Sequence, residues 1–241
     1  RAVYPFLCAM SIGFFLSFHQ SRALICSMLV RMINIGDGKN KHHLMKITDL
    51  SPQKNRKDRW NLFLDGAFYC GLDEGAGARL GLKIGQEIDE DFLAKMENEE
   101  LNAKAWNALL FFLKSRERSE KEIRDKLKRK EFSDTVIENT IVKGRGLNLI
   151  DDRRFAEMWV RERAKFNPKG KRVLQIELRQ KGIGDDVLQE VFAENMSAET
   201  EESLARQAFE KKSRIWNDMT NRKQREKMTR YLSGKGFGWD V

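Results

Sequence analysis

Cysteine and histidine are scarce in this chain of 241 residues, which has three of each. All three histidines, His19, His42 and His43, and two of the cysteines, Cys8 and Cys26, precede Met45. Beyond that point there is no histidine base, no cysteine-rich cluster and no metal-ligand spacing, so the usual catalytic constellations lack their residues. Cys70, in an expected strand, reads as a buried apolar thiol. No disulfide framework follows, and a reducing cytoplasm is the expected compartment. Phosphate loops are missing too. Gly75, Gly77, Gly81 and Gly85 are followed by no Gly-Lys-Ser/Thr, and no G-x-G-x-x-G opens a helix after a strand. The expectation is a protein that is not an enzyme and takes no cofactor or metal.

Long apolar runs are confined to the start. Ala2–Phe18 carries no charge, Arg22 interrupts, and a second run ends before Arg31. Seventeen uncharged residues fall short of the roughly 20 that a spanning helix needs. No small-residue cleavage site stands out. Residues 1–44 read either as an over-extended gene model, with translation starting at Met45, or as a membrane segment. The first reading is preferred because the first orderly strand pattern, Lys46-Ile47-Thr48-Asp49-Leu50, begins directly after Met45.

The net charge of +9 is unevenly distributed. Residues 45–102 carry 8 basic and 12 acidic side chains, whereas 103–192 carry 22 and 15. A basic excess of this kind suits a polyanion or an acidic protein groove.

From Ile47 to Leu72 the apolar period is that of strands. The runs Arg59–Leu64 and Ala67–Leu72 flank Asp65-Gly66, a two-residue hairpin link in which both positions want positive φ. Leu80, Leu82 and Ile84 are expected to cover this hairpin. An acidic helix over Asp89–Leu101 leads into a first core helix, in which Trp106, Leu109, Leu110 and Leu113 recur at helical spacing. Ser119-x-x-Glu122 has capping-box form. Asp151-Asp152 reads as a helix cap with a neighbour favourable to the helix dipole rather than as an acid–base or metal dyad.

The strongest signal is self-similarity. A shift of 51 residues lays Ile123, Leu127, Lys130, Phe132, Val136, Ile137 and Ile141 on Leu174, Leu178, Lys181, Ile183, Val187, Leu188 and Phe192. A further shift of 54 lays Leu174, Leu178, Lys181, Gly182 and Ile183 on Met228, Leu232, Lys235, Gly236 and Phe237, and Asp186 and Val187 on Asp240 and Val241. Repetition at this period marks stacked helical units. The expected fold is mainly α: tandem three-helix repeats in three copies, the last incomplete, preceded by a small β-hairpin domain. The expected boundaries are 45–102 for the hairpin domain with its acidic helix, then 103–146, 147–196 and 197–241 for the repeats.

Basic residues surround the inward positions of the first two copies and are interleaved with glutamates, which favours a shaped mixed-charge surface over indiscriminate nucleic-acid binding. The candidate partner-binding residues are Arg116, Arg118, Arg124, Lys128 and Arg129, then Arg154, Arg161, Lys165, Lys171, Arg172, Arg179 and Lys181.

Three segments, Arg116–Ile123, Leu147–Ala156 and Ile176–Ile183, together resemble the RecX family of bacterial regulators of the RecA recombinase. The likeness covers about 103–241, and the hairpin stretch resembles the β-bearing extension of some members. Departures are the apolar head, the incomplete last copy, and Glu131 where the later copies have glycine. The resemblance implies a monomeric, non-enzymatic modulator that lies along the RecA filament on single-stranded DNA and inhibits its recombinase, ATPase and co-protease activities in recombination, DNA repair and the SOS response. It also implies that Arg118, Ser119, Asp152, Phe155, Leu178 and Gly182 hold the fold more than they touch the partner. The rival reading is a direct DNA-binding protein, because three-helix units resemble helix-turn-helix modules. No membrane partner is expected unless residues 1–44 are genuine. A chain shortened to begin at Met45 is expected to stay soluble, monomeric and active. Aggregation or lost activity, with both preserved for the longer chain in detergent, would establish the head as functional.

Overall fold

The computed structural model describes residues 44–213 and 222–238. The expectations for the apolar head and for Asp240 and Val241 lie outside them. Two compact units meet between Glu100 and Leu101, and each is taken by itself. Among the described residues no helix is long and apolar enough to cross a membrane.

The first unit is built on four antiparallel strands, β1 (Met45–Pro52), β2 (Arg59–Leu64), β3 (Ala67–Asp73) and β4 (Glu87–Ile88), in the order β3-β2-β1-β4. The Asp65-Gly66 link has φ of 48° and 83°, the left-handed pair that a tight hairpin requires. The hairpin is thus half of a larger sheet, whose inner face buries Ile47, Leu62, Leu64, Leu72 and Ile88. The glycine-rich stretch contains a short helix, α1 (Glu74–Leu80). Asp73 Oδ1 accepts from the Ala76 amide at 3.2 Å to start it, and Gly81 stops it at φ 63°. Ala76 therefore joins the core, while Ile84 is 62% exposed and does not cover the hairpin. Arg59 ties the unit together. Its Nη2 donates to Glu100 Oε1 at 2.6 Å and to the Gly71 carbonyl at 2.7 Å, while Glu100 Oε2 accepts from the Asp73 amide.

Instead of two helices, one helix, α2 (Glu90–Leu113), runs through the division, since nothing around Asn102 breaks it. Its inward stripe is also rotated by about one residue from the expected one. Ala105 and Leu109 are fully buried, whereas Leu110 is 42% exposed. Small Ala105 takes the place nearest the core, and Trp106 and Leu113 pack at its edge.

The second unit repeats one pattern. In the first copy α2 is joined by α3 (Glu120–Lys128) and α4 (Asp134–Gly146) around Leu109, Ile123, Leu127, Val136, Ile137 and Ile141. The second copy consists of α5 (Asp152–Phe166), α6 (Lys171–Gln180) and α7 (Asp185–Asn195). The third contributes α8 (Ala198–Ser213) and α9 (Arg222–Gly234). Helix α8 begins within the polar stretch Ser197–Ser203, because Ser197 Oγ caps it at the Thr200 amide.

All three middle helices, α3, α6 and α9, end in the same reversal. The amides of Phe132, Ile183 and Phe237 return to the carbonyls of Leu127, Leu178 and Leu232. The residue before each has positive φ: Glu131 at 63°, Gly182 at 86° and Gly236 at 92°. This fixes the repeat register residue by residue. Leu127 and Leu178 occupy equivalent sites and are 1% and 0% exposed. Leu→Ala at either should cost about 2–5 kcal/mol. Thermal melts with no loss at both positions would contradict the equivalence.

Candidate interaction surface

Hydrogen-bonding demand at helix ends dictates how neighbouring copies meet. Four amides at a helix start and four carbonyls at its end lack partners within the helix, and their partial charges are opposite. The fold sets one against the other. At the start of α3, Ser119 is fully buried. Its Oγ accepts from the Glu122 amide at 3.2 Å and donates to the Lys181 carbonyl at the end of α6 at 2.8 Å. At the start of α6, the Gly170 amide donates directly to the Lys235 carbonyl at the end of α9 at 3.0 Å. Position 119 plus 51 is 170, so the same device joins copy one to two and copy two to three.

Around the first junction, charged side chains complete the contact. Lys121 Nζ donates to the Gln180 carbonyl at 3.0 Å. Asp152, in the first turn of α5, accepts from the Glu120 amide at 2.8 Å and so caps a helix of the preceding copy. The neighbouring Asp151 caps its own helix at Arg154. Burial pushes the Asp152 carboxyl up, the nearby Glu120 adds to this, and the Glu120 amide opposes it. Glu122 does not act as the return arm of a capping box. Its Oε1 accepts from Arg116 at 3.1 Å and Lys181 at 2.6 Å. Burial alone would raise that carboxyl, but these two cations outweigh it and hold it below the ordinary 4.5.

The twelve candidate residues divide by how the fold employs them. Arg116, Arg118, Arg154 and Lys181 are turned inward on the chain. Arg154 makes a two-pronged contact with Glu117 at 3.0 and 3.1 Å. Arg118 lies over the Phe112 ring at 4.2 Å, and Lys181 lies over Trp159 besides its bond to Glu122. Arg124 is shared between Glu120 and Glu138. Lys128 sits 3.4 Å from Asp134, and Arg129 Nε donates to the Asp125 carbonyl. Lys171 stands over Phe192 and Arg179 pairs with Asp185 at 2.8 Å, both partners of that pair being exposed. Lys165 lies over Phe166. Arg161 and Arg172 are exposed.

A notch of about 480 Å³ opens at the junction of copies one and two, lined by Lys121, Arg124, Lys128, Arg145, Glu120, Asp125, Asp152 and Gly182. Glu120 bridges Arg124 and Arg145 there, so opposite charges neutralise one another within it. Among the described residues no group of three His, Cys, Asp or Glu could hold a metal ion. Two of the lining cations, Lys121 and Lys128, also belong to a series along the middle helices. Lys121 and Lys128 on α3 have Arg172 and Arg179 at the equivalent positions of α6, all exposed.

Four family models match in chain order: "Regulatory protein RecX N-terminal domain" over residues 45–89, and the first, second and third three-helix domains of RecX over 105–143, 151–191 and 199–241. A "Regulatory protein RecX" of Bacillus velezensis is 35% identical over 198 residues, covering 81% of this chain and 74% of the relative. One from Clostridium acetobutylicum is 33% identical over 197 residues, covering 80% and 91%. A crystal structure of regulatory protein RecX superposes with TM-score 0.69 at 31% identity, over 81% of this chain and 95% of that one. RecX from Lactobacillus salivarius gives 0.52 at 28% identity, over 58% and 90%.

The junction explains why Glu131 stands where the later copies have glycine. A Cβ on Gly182 would come within 2.7 Å of Lys121 Cβ, and one on Gly236 within 2.7 Å of the Val173 amide nitrogen. Glu131 is exposed, and in the second unit no earlier copy packs on it. Gly182→Ala should therefore destabilise by about 1–3 kcal/mol through strain and collision. Glu131→Gly should be neutral or slightly stabilising, because only strain is relieved. Thermal melts showing the same sign and size for both would remove this account.

Proposed function

The chain belongs to the RecX family of regulatory proteins, and from that premise we propose that it binds the RecA–DNA filament and modulates, mainly by inhibition, its recombinase, ATPase and co-protease activities. The observation that carries this reading is the recurrence of exposed cations at equivalent positions of successive middle helices, Lys121 with Arg172 and Lys128 with Arg179. A contact set repeated along a rigid array suits a partner that repeats too. A filament of identical protomers is such a partner, and several weak contacts on one array add up to strong binding without any single strong one. The relatives are named regulatory proteins, which agrees with modulation rather than catalysis.

These cations can be changed without harming the core. The Arg179–Asp185 and Lys128–Asp134 pairs are solvent-exposed on both sides, and such pairs contribute only about 0–1 kcal/mol each. Lys128, Arg172 and Arg179 reversed together to glutamate should leave helix content and melting nearly unchanged. Association with RecA filaments should slow, and inhibition of their ATPase should weaken at low salt, with the gap to wild type narrowing at high salt. Equal inhibition by the reversed and wild-type proteins at low salt would show that this face does not meet the filament.

A further inference from the structure

A second basic region lies where copies two and three meet, and the proposed filament contact makes no use of it. Two carboxylates are bonded there among the described residues: Glu201 accepts from the Lys171 amide at 2.8 Å, and Glu177 takes side-chain donors. Arg163 Nε donates to Glu177 Oε2 at 3.0 Å, Trp159 Nε1 shares that oxygen, and Lys169 holds Oε1. The carboxyl is thereby held below its usual value against the opposing effect of burial. Two cations already neutralise it. Lys235, at the end of α9, then bonds only the neutral amide oxygen of Asn167 among the described residues. The charges that act on it most are Lys169, Lys211 and Arg163 against Glu177 alone, and with burial as the larger cause its ammonium is pushed down. Among the described residues cationic charge here therefore exceeds the carboxylate charge set against it.

Beside this excess stands an aromatic ring with no core to fill. Phe166, the last residue of α5, is 71% exposed and immediately precedes Asn167, the residue that holds Lys235. Lys165 Nζ lies 5.2 Å from the centre of its ring. Arg161, one turn earlier on the same helix, is exposed. An uncompensated basic cluster next to an exposed aromatic face is the arrangement that binds single-stranded nucleic acid. Cations follow the phosphates, and a base stacks on the ring whatever its sequence.

We propose that the junction of copies two and three is a binding site for single-stranded nucleic acid, with Lys235, Lys211 and Lys165 meeting backbone phosphates and Phe166 stacking on a base. An acidic protein segment would match the charge but would have no use for the exposed ring, so the strand is the occupant that accounts for both features. The site stands apart from the filament reading, and the binding measurement that tests it first uses no recombinase.

The probe is a fluorescently labelled oligo-dT, titrated with the full chain alone at several salt concentrations and followed by anisotropy. Wild type should bind, with log affinity falling against log salt by about 0.7 for each phosphate neutralised. Phe166→Ala, at an exposed position that should not alter melting, should weaken binding about tenfold with the salt slope unchanged. Lys211→Gln with Lys235→Gln, the second of which keeps a donor for Asn167, should flatten the slope by about 1.4. Lys54→Gln with Lys57→Gln, both exposed in the other unit, is the charge-matched control and should behave as wild type. Absence of oligo-dT binding at 50 mM salt, or equal binding by wild type, Phe166→Ala and the double variant, would overturn the proposal. Variants that bind oligo-dT normally but inhibit RecA poorly would overturn it as well, and would assign the same face to a protein partner.

Discussion

The helical part of this protein depends on one contact, in which the amide end of a middle helix meets the carbonyl end of the next copy's middle helix. Unsatisfied backbone groups at a buried helix end cost about as much as a lost hydrogen bond. A stack of short helices, each only a few turns long, would accumulate many of them. Here each set answers the other: Ser119 Oγ bridges to the Lys181 carbonyl, and the Gly170 amide reaches the Lys235 carbonyl. Opposite ends of two helix dipoles are brought together in the same step.

The two junctions solve that problem at different distances, and their sequences follow. Between copies two and three the backbones touch, since a Cβ on Gly170 would lie 2.3 Å from the Gly236 carbonyl oxygen. One apolar core runs across that boundary, from Phe155 and Leu178 to Leu204 and Phe237. Between copies one and two a serine side chain intervenes. The first copy keeps a separate core, closed at its edge by Ile150, and the gap is filled by Arg116, Glu117, Glu122, Arg154 and Lys181. These ion pairs are only partly buried, so each adds little net stability. They make the first junction more polar than the second.

That arrangement also sorts the basic residues by role. Charge alone does not separate a lysine that fastens two copies from one that faces a partner, and the chain has both. Lys181 is fixed to Glu122 and laid over Trp159, whereas Arg172, on the same helix, is exposed. Exposed cations occur on most of the described helices, and the two proposed sites draw on different cations, the row Lys121, Lys128, Arg172 and Arg179 and the group Lys165, Lys211 and Lys235. The proposed filament contact and the proposed strand-binding site are therefore independent surfaces.

The repeat, its period, the inward positions Leu127, Leu178 and Leu232, and the Asp65-Gly66 turn are legible in the sequence because each rests on local periodicity or on the φ preference of single residues. So is the family resemblance, which rests on an ordered set of motifs. Other features are not legible. That the stretch after Asp73 is a helix depends on the Asp73 cap at its start and the left-handed Gly81 at its end. That Ala105 rather than Leu110 faces the core depends on how closely helices approach. Glu122 has the spacing of a capping box yet bonds Arg116 and Lys181, because its nearest cations come from elsewhere in the fold. Asp152 likewise caps a helix that begins 32 residues earlier. The sequence by itself determined which residues of the repeated middle helices turn inward, since hydrophobic spacing is a property of neighbours along the chain. Only the tertiary structure decided which charges remain outside, since an ion pair forms between groups that only folding brings within reach.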